Sequence, residues 1–245
     1  MENLRTSMRL TVLIVVVVSL SFTYMPATAA TSETYYLPAV QLSALQSAQV
    51  AVSNHSTEPV DVKISIYGAT GNVVSSTSQS ITPNHTYVLR FANGNAVSDY
   101  YAVVTASATG TISTDLQALA SNGEVAAITF PFANSVPAVQ NTPMVRLVPG
   151  QSAAVVVINV GTETTTFDLT VYNNNGNVVL SKEGIQIGPG QIENDTFSND
   201  GEVNNGYRAT VSDSARRSSL SEIITLDRAT GKVLTIVYPP DPCAQ

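Results

Sequence analysis

Tryptophan is absent from this 245-residue sequence, cysteine occurs once, histidine twice, and charged residues make up 12%, about half the share usual in soluble domains. Each scarcity removes a class of explanation. With Cys243 as the only cysteine, no intrachain disulfide can form, and the fold must hold by packing and hydrogen bonds alone. Cys243 follows Pro239, Pro240 and Pro242 and reads as a thiol on a loose tail. His55 and His85 are the only histidines, each in a polar turn context, so the four ligands of a structural zinc site cannot be assembled. A nucleophile–base pair finds no partner either: no G-x-S-x-G is present, and the nearest approach, GQSAA from Gly150, lacks the final glycine. Basic residues are also few, 11 Lys and Arg against 18 Asp and Glu, which argues against a nucleic-acid partner, since phosphate binding needs a basic face.

What is present begins with a leader. Arg5 and Arg9 precede the apolar run Leu10 to Phe22, and Ala27-Thr28-Ala29 has the small-x-small form of a cleavage site. Residues 1–29 therefore read as a secretory signal peptide, the run being short of the roughly 20 residues a spanning helix needs. The mature chain is expected to be exported, with no transmembrane segment.

The rest is written twice. SIYGATGNVVSS (Ser65 to Ser76) returns as TVYNNNGNVVLS (Thr170 to Ser181), and SAQVAVSN (Ser47 to Asn54) as SAAVVVIN (Ser152 to Asn159). ITPNHT (Ile81 to Thr86) answers IGPGQI (Ile187 to Ile192), and NGEVAAITFPF (Asn122 to Phe132) answers TGKVLTIVYPP (Thr230 to Pro240). Tyr101 aligns with Tyr207, and PAVQ occurs at Pro38 and again at Pro137. Ordered matches over the whole length imply a tandem duplication. The units run over 30–132 and 133–238, with 239–245 as a Pro-rich tail.

Within a unit the hydrophobic period is two. Val60, Val62, Ile64 and Ile66 alternate with Asp61, Lys63, Ser65 and Tyr67, and Phe167, Leu169 and Val171 alternate likewise, so one face of this strand is core and the other wet. ATGN (Ala69 to Asn72) and NNGN (Asn174 to Asn177) are hairpin turns in which Gly71 and Gly176 accept a positive φ. Strands are expected at 35–41, 48–54, 60–67, 73–80, 86–91, 100–106, 112–119 and 125–130, with the same set in the second unit. The fold class is all-β: two tandem Greek-key β-sandwiches from an internal duplication. Tyr101 and Tyr207, at the start of the sixth strand, are placed to act as a tyrosine corner.

The order V-x-N-x-G-T (Val157 to Thr162), VYNNNGNVV (Val171 to Val179), IGPGQ (Ile187 to Gln191) and YRATVSD (Tyr207 to Asp213) resembles immunoglobulin-like repeats of bacterial exported proteins, of the CARDB (cell-adhesion-related, bacterial) and fibronectin-III-like kinds. The resemblance implies an immunoglobulin-like sandwich acting at a cell surface, and implies no catalytic residue.

For chemistry the candidates are few. The acidic loop from Glu193 to Gly206 offers Asp195, Asp200, Glu202, Asn199 and Asn204 as hard oxygen ligands, although Phe197 and Asp200 stand where an EF-hand would need a ligand and a glycine. Arg216-Arg217, with Arg208 and Arg228, is the only basic cluster, and Asp213 and Glu222 flank it. Tyr35, Tyr36, Tyr67, Tyr87, Tyr100, Tyr101 and Tyr172 could stack on sugars, and Tyr67 and Tyr172 point outward at equivalent positions. Asn54, Asn84 and Asn194 lie in N-x-S/T sequons, relevant only in a eukaryotic host. No catalytic, cofactor-binding or metal site is assigned. The expectation is a non-enzymatic exported protein serving as a structural, adhesion or assembly module toward other surface or extracellular proteins, with a carbohydrate-binding module as the alternative. The opener YYLPAVQ is a candidate for strand addition to an open sheet edge, its own or a neighbour's.

Overall fold

The computed structural model describes residues 32–129, 131–133, 137–199, 205–214, 218–230, 233–237 and 239. The expected leader, residues 1–29, and Asp200, Glu202, Asn204, Arg216, Arg217 and Cys243 lie outside the described residues. The first unit forms β1 (Glu33–Leu42), β2 (Ser47–Asn54), β3 (Val60–Gly68), β4 (Val73–Ile81), β5 (Thr86–Ala92), β6 (Ser98–Ala106), β7 (Ile112–Leu119), β8 (Val125–Thr129) and β9 (Phe132–Ala133). The second forms β10 (Val139–Asn141), β11 (Val145–Leu147), β12 (Gln151–Asn159), β13 (Thr165–Asn173), β14 (Val178–Ile187), β15 (Ile192–Ser198), β16 (Asn205–Asp213), β17 (Ser219–Asp227) and β18 (Val233–Val237). The eight strands expected of the first unit each appear within about two residues of the sequence-based bounds. No helix among the described residues is long and apolar enough to cross a membrane.

Four antiparallel sheets result: β4-β3-β6-β1-β9 and β5-β2-β7-β8 from the first unit, β14-β13-β16-β10 (with β11 also on β16) and β15-β12-β17-β18 from the second. Each unit is thus a β-sandwich closed over its own core. The first core gathers Leu37, Val50, Val62, Ile64, Val104 and Leu116; the second gathers Leu147, Val155, Phe167, Leu169, Val211 and Ile223. The opener that was a candidate donor strand pairs within its own sheet, as β1 against β6. Pro38, which has no N–H to donate, sits where that register shifts between Leu37 and Val40, a place where proline is tolerated.

The structure corrects two of the sequence alignments. Val40 pairs with Tyr100, and Val145 pairs with Tyr207. Hence PMVRL (Pro143 to Leu147), not the PAVQ at Pro137, is the counterpart of PAVQL, and Tyr207 corresponds to Tyr100. Tyr100 packs edge-on against Phe91 at 4.7 Å, and Tyr207 packs tilted against Phe197 at 5.3 Å. The corner role passes with it, since the Tyr100 hydroxyl donates to Asn93 Oδ1 at 2.6 Å, and Asn93 Nδ2 donates to the Leu42, Ser43 and Ala96 carbonyls. Tyr101 lies on the opposite face, because a slip of one residue in a strand exchanges faces.

A second pair of equivalent asparagines closes the other end of each sandwich. Asn54 and Asn159 are fully buried. Asn54 Nδ2 donates to the Glu58 and Ile81 carbonyls, and Asn159 Nδ2 donates to those of Glu163 and Ile187. The side-chain carbonyls accept from the Ser56 and Gly161 amides respectively. Each side chain satisfies loop backbone groups that would otherwise be buried unpaired.

The expectation of one wet face per sheet fails for two of the four sheets. Ala39 and Tyr101 of the first unit form one buried cluster with Val156, Ile158, Leu220 and Ile224 of the second, flanked by Tyr36, Tyr67 and Val103. The sheet containing β1 and β6 therefore packs face to face on the sheet containing β12 and β17, giving four stacked layers. A difference in side chains between the two units at equivalent register positions explains why these faces meet. Ala154, Val156, Ile158, Leu220 and Ile224 stand, by register, where the first unit has Gln49, Ala51, Ser53, Ser113 and Gln117. The latter face stays in solvent as a polar ladder, with Gln49 and Gln117 bonded at 2.7 Å and Ser53 and Thr86 at 2.7 Å. Burying the four branched aliphatic side chains is worth roughly 1.5–3 kcal/mol each in gross terms.

Candidate functional site

Where the two sandwiches meet they leave a cleft of about 380 Å³, lined by Tyr36, Tyr67 and Tyr101 on one wall and Val160, Thr162 and Pro189 on the other. Strand geometry delivers the tyrosines. Tyr67 and Tyr101 are directly opposite on β3 and β6, and their rings stack at 4.9 Å with an interplanar angle of 11°. Burial raises the Tyr101 phenol above its ordinary pKa, with the neighbouring Tyr67 and Tyr36 adding to the effect. Its hydroxyl therefore stays protonated across the physiological range.

The floor of the cleft is a contact between two turns. The Ile192 amide donates to the Ala69 carbonyl at 2.9 Å, and Thr70 bridges Gln191. Gly71 and Gly190 touch at this point: a Cβ on Gly71 would lie 2.6 Å from the Pro189 carbonyl oxygen, and one on Gly190 would lie 3.0 Å from Gly71 Cα. Gly176, the counterpart of Gly71, has nothing within 4 Å of a notional Cβ.

Beyond the cleft the interface holds an acidic pair, Glu222 and Asp99: Glu222, expected from the sequence as an exposed flank of the basic cluster, is instead buried, and Asp99 is not among the sequence candidates. Glu222, on the interface face of β17 between Leu220 and Ile224, is 1% exposed. Burial pushes its carboxyl well above the usual carboxylate range, and the nearby Asp99 charge pushes the same way. The Ala39 backbone offsets this only in part, since neither carboxyl oxygen reaches a partner in hydrogen-bonding geometry among the described residues. Asp99 is also raised by burial, opposed by hydrogen bonds from Asn194 and Gln41; Gln41 Nε2 donates to its Oδ1 at 3.3 Å. By register Glu222 is the counterpart of Asp115, which lies on the solvent side of the first unit. The packing of the two sandwiches thus buries an acid at a position whose register equivalent in the first unit is half-exposed. The sequence signal was there: Glu222 shares its parity with Leu220, Ile224 and Leu226.

The remaining candidates are dispersed. His55 Nε2 lies 2.7 Å from Ser113 Oγ, while His85 Nδ1 lies 2.8 Å from the Pro83 carbonyl. Among the described residues no group of three or more His, Cys, Asp or Glu is arranged to hold a metal ion. The stretch expected as an acidic loop is a strand at its start, since Glu193 to Ser198 belong to β15 paired with β12; Asp195 on that strand is buried against Lys182 as an ion pair, and Asn199 is buried with its Nδ2 donating to the Leu147 carbonyl at 2.9 Å. Both are structural pegs in this arrangement. Tyr172 parts company with Tyr67: it lies half-buried under the Arg208 guanidinium, 5.4 Å from the ring centroid. Asn54, in the first sequon, is inaccessible.

No protein-family model matches the chain, and no curated protein matches it. Among solved structures, two of Bacteroides uniformis β-glucuronidase align with 84% of the chain, at 14% and 12% identity and TM-scores of 0.20 and 0.21. The chain spans 26% of the length of those enzymes. A Parabacteroides distasonis protein, provisionally described as secreted, aligns over 86% of this chain and 89% of its own, at 9% identity and a TM-score of 0.18.

Proposed function

We propose that the chain is a non-enzymatic exported protein, its two immunoglobulin-like sandwiches forming one stiff module that serves structure, adhesion or assembly at the cell surface or beyond it. The observation that carries this reading is the face-to-face stack. Duplicated sandwiches joined by a linker can pivot, whereas these bury Tyr101, Val156, Ile158, Leu220 and Ile224 between them, which fixes the distance between exposed edges and loops. The leader, the CARDB-like motifs and the hydroxyl-rich surface support the same placement. Cell fractionation with surface proteolysis tests it: the processed chain is expected outside the cytoplasm and cleavable on intact cells, and a chain confined to the cytoplasm with its leader attached contradicts the reading.

A glycan-binding module is the second reading, favoured by the tyrosine-lined cleft. Aromatic faces and hydroxyls within about 380 Å³ suit the C–H faces and hydroxyls of a sugar. Pull-down on insoluble polysaccharides, comparing Tyr36→Ala with Tyr172→Ala, separates the two readings. Loss of binding in the Tyr36 variant alone supports the cleft, and no binding by the unaltered chain removes it.

A further inference from the structure

The two sandwiches carry equivalent edge strands that differ in how they meet solvent. On the second unit, β14 (VVLSKEGIQI) holds Lys182 and Glu183, and Gly184 at φ +65° breaks the register opposite Asp168, whose Oδ1 accepts from the Gly184 amide at 2.8 Å. An edge with charges and a bulge resists pairing with another strand. On the first unit, β4 (VVSSTSQSI) has no charge and no proline over nine residues. Its pairing with β3 is regular from Ile81 to Ser75, and all but Ile81 are exposed or half-exposed. The other edges among the described strands are blunted or short: β5 carries Arg90, β15 carries Glu193 and Asp195, β8 and β18 have five residues each, β10 and β11 three, and β9 two.

We infer that β4 is the self-association edge of this protein, pairing antiparallel with β4 of a second copy about a twofold axis at Thr77. The composition of the strand argues for a second copy over another partner. A twofold at Thr77 sets Thr77 against Thr77, Ser76 against Ser78 and Ser75 against Gln79, all within the regular stretch; Val74 and Val73 lie beyond it, at the register shift between Ile66 and Tyr67. Every pair is hydroxyl with hydroxyl or hydroxyl with amide, and no like charges meet. The pairing also keeps faces: Thr77 and Gln79 lie opposite Ile64 and Val62, on the core side of β3, and their cross-axis partners share that side. The twofold joins the β1-containing sheets of two copies into one continuous sheet, and it closes, so it yields dimers and not filaments.

This inference deepens the assembly reading by naming the partner, yet it stands on the edge alone. A surface-exposed monomer would overturn it and leave that reading intact. A strand pair over Ser75 to Gln79 is a small interface, so association on the order of micromolar to millimolar is expected. Sedimentation velocity of the full chain over a concentration series is expected to show a monomer–dimer equilibrium. Ser78→Lys places two lysines diagonally across the axis and should weaken association about tenfold or more, while Ser181→Lys on β14 leaves it unchanged. Independently, Thr77→Cys in a Cys243→Ser background should form a disulfide-linked dimer under mild oxidation, because directly opposed residues fall within bridging range. A chain that stays monomeric up to about 1 mM, a dimer indifferent to Ser78→Lys, or a Thr77→Cys variant that fails to cross-link while folded would each overturn the inference.

Discussion

Gly71 and Gly190 meet backbone to backbone across the two sandwiches, so close that a methyl group on Gly71 would sit 2.6 Å from the Pro189 carbonyl oxygen. The turn quoted twice in the sequence thus has two fates: one copy is a docking element and the other a free hairpin.

A paired substitution measures that difference. Gly71 and Gly176 share a φ of +80°, so alanine at either costs about 1–2 kcal/mol of left-handed strain. Only at position 71 does it also collide with backbone, adding about 1–3 kcal/mol. Urea denaturation should therefore find Gly71→Ala clearly less stable than Gly176→Ala, and equal losses would mean that the turns do not touch.

Asn54 and Asn159 are expected to be intolerant of even an isosteric change. Each donates through its Nδ2 to one buried carbonyl, of Ile81 or Ile187, and one part-buried carbonyl, of Glu58 or Glu163, and Asn→Asp places a carboxylate against both. Asn→Ala at either site should cost about 2–4 kcal/mol from several lost buried bonds, and Asn→Asp at neutral pH at least as much. Thermal denaturation of the four variants checks this, and shifts no larger than those of surface substitutions would remove the pegs from the account.

Glu222 makes stability fall as pH rises. Its folded pKa is raised by burial, so the unfolded chain gives up its proton first, at about pH 4.3. The stability it contributes is complete below that value and is lost as pH climbs toward and through the folded pKa. Asp99, also raised, acts with the same sign. Glu222→Gln should raise the urea midpoint at pH 8 and shrink the gap between pH 4 and pH 8. An unchanged gap would show that the acid is not held in the interface.

Much of this fold was legible because alternation and turn chemistry are local signals. VDVKISIY places Val62, Ile64 and Ile66 inside and Asp61 and Lys63 in solvent, as its pattern requires. The second face was harder to read, since Tyr67 on that strand is shielded by a partner sheet distant in sequence. A trace of it stood in the repeat itself. SAQVAVSN keeps polar residues at alternate positions, and SAAVVVIN does not, the mark of a strand covered on both faces. The Tyr101 alignment failed for a related reason: a one-residue difference in loop length is invisible in a weak match, yet it moves a tyrosine from core to interface. Glu222 was legible only once its strand was known to have two buried sides.

Differential scanning calorimetry of the full chain tests the four-layer stack most directly. If the two sandwiches share the interface built on Val156, Leu220 and Tyr101, one transition is expected, with equal calorimetric and van't Hoff enthalpies. Leu220→Arg should split it into two. Two independent transitions in the unaltered chain, unmoved by Leu220→Arg, would contradict the account.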